Sequence, residues 1–447
     1  MTTSGTGETA TVIGGGLAGC EASWALAERG VRVTLVEMRP VRTTPAHQTD
    51  RLAELVCSNS FKSTEITTAH GLLKAELRLL GSLLLRCADE ARVPGGAALA
   101  VDRAVFSERA TELVGGHANV TLVREEATSL PDPGIVATGP LTSDLLATTI
   151  VAAVGSDALA FYDAIAPIVS ADSLEFEQLF KASRYGKGGG ADYWNAPFTR
   201  DEYEAFIAAL TSADQYPGHD VGGVGGAGRV PYFEGCLPVE EMAARGKDTL
   251  RFGPMKPVGL SDPKTGREAY AIVQLRQEDQ AGQLWNLVGF QTRMRHGEQA
   301  RVFRTIPGLA HGEFLRYGSI HRNSYLNTPQ SLSAHLALRD RPTTLFAGQI
   351  TGVEGYTESL GTGLLCGLNL ARMLRGRPPL VPPRTTMLGA LLAYLREADP
   401  GNFQPMNANL GLLTPLESVP RDKAKKKAML AERALADMAA FARAAEE

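Results

Sequence analysis

A glycine-rich stretch near the start of the chain constrains the fold more than any other feature. Residues 9–13 form a short apolar run typical of a β-strand, and residues 17–29 have the composition of a helix. Three glycines between and within them, Gly14, Gly16 and Gly19, follow the pattern G-x-G-x-x-G. In this pattern the first glycine permits a tight turn, and the second lets a pyrophosphate approach the backbone. The third lets the helix pack closely on the strand.

The second strand of this unit ends on an acidic residue. After the helix, the run VRVTLVE ends at Glu37, where a carboxylate can accept hydrogen bonds from a ribose diol. The N-terminus of the helix would present free N–H groups and a positive dipole end to a pyrophosphate. Strand, glycines, helix, strand and acid in this order predict a site for an adenine dinucleotide. The alternative is a glycine-rich turn of purely structural use.

The composition favours an ordinary globular enzyme of more than one domain. The chain has 447 residues, of which 44% are hydrophobic and 21% charged, so two or three domains are expected. A net charge of -4 argues against a protein covered in basic residues, and any nucleic-acid contact must therefore be a local patch. The first eight residues lack the apolar core of a signal peptide, and no run of about 18 apolar residues suggests a membrane span. We therefore expect a cytoplasmic protein.

The cysteines are odd in number and scattered. They lie at positions 20, 57, 87, 236 and 366, without a C-x-x-C pair, which favours free thiols in a reducing cytosol over disulfides or a zinc site. Two of them have suggestive surroundings. Cys57 enters the polar, lysine-bearing loop CSNSFKS, and Cys236 lies in the string YFEGCLPVEEMA between a strand end and a helix. Such a polar loop can stabilise a thiolate, although a structural role stays open for each cysteine. No metal site is predicted.

Two later segments are expected to complete the dinucleotide site. The strand GIVATG ends in a turn at Thr138 and Gly139 that many flavoproteins place beside their cofactor. The segment TTLFAGQITGVEGYTESLGTG reads as a buried strand, a glycine turn and a helix. Gly348 and Gln349 would then lie near the diphosphate or ribityl chain. The helix is predicted to begin near Gly361, with its N-terminus facing the flavin. A plain strand–turn–helix of a parallel sheet is the alternative.

The middle of the chain has a different composition. Lys181, Arg184 and Lys187 are interleaved with aromatic residues and glycines, a combination that suits phosphates and unstacked bases of RNA. A solvated surface loop is the alternative. Elsewhere the patterns predict a single leucine-rich core helix over 70–92, strands over 98–106 and 249–260, and a charged amphipathic helix from Arg421.

These patterns predict an α/β fold with two units. A flavin-binding domain with a doubly wound parallel sheet would occupy residues 1–165. A smaller inserted α/β domain on the substrate side would follow over 166–317, and residues 318–447 would complete the first domain.

Six motifs together resemble one family. They are IGGGLAGCEAS, ELVCSNSFKS, YFEGCLPVEEMA, YGSIHRNSYLN, FAGQITGVEGYTES and FQPMNANLGLL. They resemble the folate- and FAD-dependent tRNA (uracil-5-)-methyltransferases over nearly the whole chain, and the two cysteine motifs are the most specific part. The stretch over 218–228 matches least well. Larger flavoproteins that modify wobble uridines share the N-terminal motif, but their C-terminal helical extension has no counterpart here.

The resemblance implies a reaction and roles for several residues. The T-loop uridine of tRNA (uridine 54) would be methylated at C5, with carbon from 5,10-methylenetetrahydrofolate and hydride from FADH2 that NADH or NADPH regenerates. Cys57 and Cys236 would be the C6 nucleophile and its base or protecting partner, in an order that stays open. Tyr356 would pack beside the isoalloxazine, and His321 could stack on the folate pterin. The alternatives are a wobble-uridine-modifying flavoprotein, a small-molecule flavin oxidoreductase and a non-catalytic flavin sensor or tRNA-binding protein.

Overall fold

The computed structural model describes residues 7–44, 46–155, 159–216 and 237–446, and for 159–164 and 320–322 it describes the backbone only. In these residues the strands are β1 Thr9–Ile13, β2 Arg32–Glu37, β3 Ser60–Ser63, β4 Arg92–Val93, β5 Ala98–Val101, β6 Val120–Arg124, β7 Gly134–Val136, β8 Leu159–Ala164, β9 Ile168–Ser170, β10 Phe180–Lys181, β11 Tyr193–Phe198, β12 Ala271–Gln277, β13 Leu284–Leu287, β14 Phe314–Arg316, β15 Ile320–Tyr325 and β16 Thr344–Phe346.

The α-helices of the same residues are α1 Leu17–Ala27, α2 Ala69–Leu79, α3 Leu83–Glu90, α4 Arg103–Gly115, α5 Asp144–Val154, α6 Arg200–Thr211, α7 Val239–Ala244, α8 His296–Phe303, α9 Thr328–Ser331, α10 Tyr356–Leu374, α11 Met387–Glu397 and α12 Lys423–Glu446.

A five-stranded parallel sheet forms the centre of the first unit. Its order is β16-β7-β1-β2-β6, so β1 lies between the second strand and a strand from later in the chain. Helix α10 packs closely along α1. A Cβ added at Gly363 would lie 2.2 Å from the Ala18 carbonyl oxygen, and one at Gly367 would lie 2.5 Å from that of Ala22. Glycine at these two positions therefore brings the last third of the chain onto the first helix.

A second sheet lies entirely within the middle of the chain. It has six antiparallel strands in the order β10-β11-β12-β13-β9-β14. Helices α6 and α8 contribute Phe206 and Phe303 to a separate buried core, which also contains Phe290 and Trp285. The predicted fold class, a parallel-sheet domain with a smaller inserted unit, is confirmed.

The two units are joined by a pair of antiparallel strands. β8 pairs with β15 over its whole length, with Ala164 opposite Ile320. The chain leaves the parallel-sheet unit through one strand and returns through the other. The domain boundaries expected after residues 165 and 317 fall beside this pair, and they stay a prediction.

Three local predictions were wrong. The leucine-rich stretch over 70–92 forms two helices, α2 and α3, because Gly81 takes φ +80° and the Ser82 hydroxyl then caps α3. The stretch over 98–106 is only half strand, because Asp102 accepts N–H bonds from Ala104 and Val105 and so starts α4. Residues 249–260 contain a short 3-10 helix, Thr249–Phe252, instead of a strand. The helix predicted from Arg421 is α12.

Candidate active site

A cleft opens at the carboxyl ends of the parallel strands. It encloses about 1000 Å³, open solvent at its mouth included. Residues at or just after the ends of all five strands of this sheet contribute to its wall. Among the predicted site residues, those that line it are Gly14, Gly16, Glu37, Thr138, Gly139, Gly348, Gln349 and Tyr356.

The three motif glycines have three different surroundings. Gly14 takes φ +102°, and an added Cβ would lie 2.6 Å from the Ala137 carbonyl oxygen. A Cβ at Gly19 would lie 1.7 Å from the carbonyl oxygen of Gly14, so this glycine allows α1 to pack on the turn. At Gly16, by contrast, no heavy atom of the described residues lies within 4 Å of an added Cβ. The backbone of Gly16 therefore faces open space, as the approach of a pyrophosphate requires.

Glu37 holds the turn and retains acceptor capacity. One carboxylate oxygen accepts the Gly15 N–H at 2.8 Å, and the other accepts the backbone N–H and Nε of Arg39 at 3.0 and 2.9 Å. A carboxylate offers about four acceptor sites, so one remains for a ribose hydroxyl beside these three donors of the described residues. Burial raises the pKa of Glu37, but the hydrogen bonds and charge of Arg39 outweigh it and hold that pKa below its ordinary value.

Arg39 is a site residue that the sequence analysis missed. Its side chain is 2% exposed and bridges Glu37 to Glu54, whose carboxylate lies 3.0 Å from Nη1. All three residues line the cleft. The spacing Glu37-x-Arg39 could have suggested the first contact. The second joins positions 15 residues apart and has no sequence signal.

The remaining walls come from two turns. The Thr138 hydroxyl contacts that of Thr142 at 2.6 Å, and Gly139 follows with φ +64°. Gly348 takes φ +80° and donates its N–H to the Thr362 hydroxyl at 2.8 Å, while the Gln349 amide donates to Glu354 at 2.6 Å. Both turns line the cleft.

The helix start predicted near Gly361 was wrong. α10 begins at Tyr356, directly after Gly355, whose φ of +120° breaks the chain direction. Gly361 therefore lies inside the helix, where a Cβ would be 3.0 Å from a methyl group of Leu388. It is not among the described residues that line the cleft. In the first turn of the helix, Tyr356 and Ser359 line it.

Residues 55–59, which we call the Cys57 loop, lie at the edge of the cleft. Val56 and Tyr356 both line the cleft, and the Tyr356 hydroxyl accepts the N–H groups of Cys57 at 2.9 Å and Ser58 at 3.0 Å. The Tyr356 ring contacts that of Phe61, with centroids 5.6 Å apart. Burial raises the pKa of Tyr356 above its ordinary value, and the nearby Cys57 side chain raises it further. The phenol is therefore neutral.

Two arginines hold the carbonyl groups of the Cys57 loop. Arg103 donates to the carbonyl oxygens of Leu55 at 3.0 Å and Cys57 at 3.4 Å, and Arg316 donates to that of Val56 at 2.8 Å. Both guanidinium groups also interact electrostatically with the Cys57 side chain. Neither arginine was predicted from the sequence, because neither is near Cys57 in the chain.

Cys57 differs from the other cysteines that the structure describes. Cys20, Cys87 and Cys366 are fully buried, and burial raises the pKa of each thiol. Cys57 is half-buried beside the cleft. Cys236 lies outside the described residues, as does the stretch over 218–228.

The predicted folate and tRNA residues are placed only in part. His321 pairs with Asp163 in the β8–β15 ladder, and its side chain is outside the described structure. Lys181 is exposed, and its ammonium lies 5.0 Å from the ring centroid of Trp194. Lys187 pairs with Glu65 at 2.5 Å. Arg184 donates to the carbonyl oxygens of Lys256 and Val258, so its guanidinium holds a loop of its own unit.

The described residues show neither a metal centre nor a membrane span. They contain no group of three or more His, Cys, Asp or Glu side chains arranged to hold a metal ion. No helix among them is both long and apolar enough to cross a membrane.

The cleft combines three features: a glycine turn, an acid at the end of the second strand, and a returning strand–turn–helix. Together they define a dinucleotide-binding protein of the flavoprotein type. The family model described as glucose inhibited division protein A matches residues 9–378. The methylenetetrahydrofolate–tRNA-(uracil-5-)-methyltransferase TrmFO of Geobacter sulfurreducens is 56% identical over 430 residues, covering 96% of this chain and 97% of its own length. That of Syntrophomonas wolfei is 52% identical over 432 residues, with 96% and 98% covered. The chain belongs to this methyltransferase family.

Solved structures show the same fold at low identity. The two crystal forms of Aquifex aeolicus GidA both superpose with a TM-score of 0.71, at 16% and 17% identity. Each alignment covers 98% of this chain but only 73% or 76% of the longer GidA chain. At such identity the likeness concerns the fold alone.

Proposed function

We propose that this chain methylates C5 of the T-loop uridine (uridine 54) of tRNA, in the cytoplasm, with 5,10-methylenetetrahydrofolate as carbon donor. The relatives named for this folate-dependent reaction are more than half identical over nearly the whole chain. The observation that carries the proposal is the position of Cys57, a half-buried thiol at the edge of a dinucleotide cleft.

The residues of the cleft fit FAD. Gly16 leaves room for the diphosphate, and α1 begins directly after it, so the free N–H groups of the helix face that space. Glu37 keeps one acceptor for a ribose hydroxyl, and Tyr356 stands where a ring could pack beside it. FAD reduced by NADH or NADPH supplies the hydride that takes a methylene carbon to the methyl level.

The chemistry at uracil requires a nucleophile and a base. Replacing the C5 hydrogen by methyl takes one methylene carbon and one hydride, and the C5 proton must leave. A thiolate that adds at C6 makes C5 nucleophilic, so that C5 can bond to the methylene carbon. Removal of the C5 proton then expels the amine that carried the methylene and leaves a C5=CH2 double bond. Hydride addition to that CH2 carbon gives the methyl group, restores the C5=C6 bond and expels the thiolate. We assign these two tasks to Cys57 and Cys236, in an order that stays open. Arg103 and Arg316 would attract the negative charge that forms on the Cys57 sulfur.

The source of the methyl carbon tests this proposal. Purified protein is incubated with an unmodified tRNA transcript, carbon-labelled methylenetetrahydrofolate and NADH or NADPH. Label is expected in 5-methyluridine at the T-loop position. Label that arrives only from S-adenosylmethionine, or methylation without any reductant, would contradict the proposal. Turnover of an organic acceptor without RNA would favour a small-molecule oxidoreductase, and product at the wobble position would favour the longer tRNA-modifying flavoproteins.

The thiol assignment has its own test. Cys57→Ala and Cys236→Ala should keep FAD but lose methylation, because a thiol that serves chemistry is removed without a large change in volume. Cys366→Ala is the matched control, since Cys366 is buried and donates to the Phe346 carbonyl oxygen, away from the Cys57 loop. A cysteine whose variant retains near wild-type turnover has no part in the mechanism.

A further inference from the structure

We propose that Glu278 and Arg103 form a positioning device through which the antiparallel unit sets the place of Cys57 at the cleft. Arg103 begins α4 in the parallel-sheet unit, and Glu278 directly follows β12 in the antiparallel unit. The inference rests on the proposed catalytic role of Cys57. It assigns to these two residues no contact with substrate.

Glu278 is buried, Arg103 is half-buried, and the two side chains are well oriented. Nε of Arg103 lies 2.8 Å from one carboxylate oxygen of Glu278, and Nη2 lies 3.3 Å from the other. The side chains are 15% and 2% exposed. The same guanidinium donates to the carbonyl oxygens of Leu55 and Cys57. Glu278 therefore fixes the plane of the group that holds the carbonyl groups of the residues before and after Val56.

Neighbouring contacts hold the same junction. Asn59, which is fully buried, donates its amide to the carbonyl oxygens of Val101 and Gln277, both at 2.9 Å. Its own amide oxygen accepts Nε of Arg276 at 2.8 Å. Three consecutive residues of the antiparallel unit, 276–278, thus contact the Cys57 loop or the arginine that holds it.

Stability alone is a poor explanation of this pair. A buried ion pair costs desolvation that its attraction often only balances, so such pairs are weak evidence for stability. A bidentate guanidinium–carboxylate contact fixes geometry in addition to energy. Here burial lowers the pKa of Arg103, but the charge of Glu278 outweighs it and holds that pKa above its ordinary value. The guanidinium therefore stays charged, and its fork faces the Glu278 carboxylate beside the Cys57 loop.

Glu278→Gln is the main test, because it keeps the side-chain shape and removes the charge that orients Arg103. We expect kcat for tRNA methylation to fall by about 100-fold, the loss that a misplacement of about 1 Å can cause. FAD content and the KM values for tRNA and folate should change less than about threefold, because Glu278 is not among the described residues that line the cleft. Amide hydrogen exchange of the Cys57 loop should become at least about tenfold faster.

Two further variants sharpen the test. Arg103→Lys keeps the charge but loses the fork, and it should reproduce the exchange and kcat effects with FAD retained. Glu90→Gln is the matched control. Glu90 pairs at 2.8 Å, on the surface, with Arg109, which lies in α4 as Arg103 does. It should leave both readouts unchanged.

Unchanged loop exchange or unchanged kcat in Glu278→Gln and Arg103→Lys would overturn the proposal. So would a uniform loss of FAD, thermal stability and activity in both, since that marks a purely structural pair. Failure of the proposed function can be told apart from failure of this positioning proposal. If wild-type protein transfers no methyl group, the function fails, whereas the exchange of the loop amides still reports whether the pair positions Cys57.

Discussion

The shape of the dinucleotide cleft depends on the absence of side chains at its glycines. The Cys57 loop, by contrast, is held by side chains that reach it from distant parts of the chain. At Gly14 and Gly19 the backbone approaches so closely that a Cβ does not fit, and at Gly16 the space is open for a ligand. In the Cys57 loop, α10, α4, β14 and β12 each contribute a side chain that bonds the loop.

This difference separates binding from chemistry. A cofactor site built from backbone needs little reorganisation and depends on a few local residues. A reactive thiol needs a fixed backbone, and here long polar side chains from both units fix it. Substitutions in the cleft should therefore act through steric clashes, either within the protein or with the ligand. Substitutions around the Cys57 loop should act through the loss of hydrogen bonds.

The largest effect is expected for Gly19→Val. A Cβ at this position would lie 1.7 Å from the Gly14 carbonyl oxygen, so α1 must move away from the turn. We expect a loss of more than about 4 kcal/mol in the free energy of unfolding, with little folded protein recovered. Circular dichroism and urea unfolding measure this. A stable, flavin-containing variant would contradict the packing role of Gly19.

Gly16→Val should separate binding from folding. Gly16 has φ -79° and ψ -167°, a conformation that valine adopts readily, and its Cβ would meet open space. The apo protein should therefore fold with nearly unchanged thermal stability, while FAD affinity falls by at least about 100-fold, because the side chain blocks the approach of the pyrophosphate. Flavin absorbance after purification and titration with FAD check this, and full flavin content would count against the cleft as the FAD site.

Tyr356→Phe tests the loop without a steric change. The ring and its contact with Phe61 are kept, but the N–H groups of Cys57 and Ser58 lose their acceptor, at about 1–3 kcal/mol for each donor left unpaired. We expect about a tenfold lower kcat with FAD retained. Tyr394→Phe is the control, since that hydroxyl donates to the Gln404 carbonyl oxygen elsewhere. Equal rates in the two variants would remove Tyr356 from the positioning of Cys57.

The last effect is a change in pH dependence, and it concerns a polar contact within the close-packed region. Glu21 of α1 is fully buried and accepts the N–H groups of Leu83 and Leu84 at 3.2 and 2.9 Å. Burial raises the pKa of Glu21 from 4.5 to about 7 against the lowering effect of these bonds. Between pH 4.5 and about pH 7, Glu21 is therefore protonated in the native state and ionised in the unfolded chain.

Its contribution to stability is consequently full below pH 4.5 and is lost as the pH rises to 7, with a slope of up to about 1.4 kcal/mol per pH unit. Glu21→Gln should remove this slope, which urea unfolding at several pH values in that window measures. An identical pH dependence in wild type and variant would show that Glu21 does not titrate there.

The sequence predicted what is local and missed what is long-range. Gly14, Gly16, Gly19 and Glu37 were placed correctly relative to the parallel strands, because each role follows from spacing within one strand–helix–strand unit. Gly361 was assigned to the cleft wrongly, because the glycine-rich segment offers several helix starts and the backbone turn at Gly355 selects one.

The residues around the thiol show why the rest was not predictable. Arg103, Glu278 and Arg316 acquire their roles only when β12 and β14 dock against the Cys57 loop, across 175 positions for the Arg103–Glu278 contact and 260 for that of Arg316 with Val56. A charged residue in a strand or at a helix start is common, and nothing in its own neighbourhood distinguishes these three. The roles of Cys236 and His321 stay predictions.

The β8–β15 ladder has a consequence for how the two units are joined. Ala164 and Ile320 are direct partners in antiparallel strands, so their Cα atoms lie only about 5 Å apart. The whole antiparallel unit thus enters and leaves through a gap that an ordinary hairpin turn could close. Because β8 and β15 do not belong to the five-stranded parallel sheet, a turn that joined Ala164 to Ile320 directly would leave the strand order of that sheet unchanged.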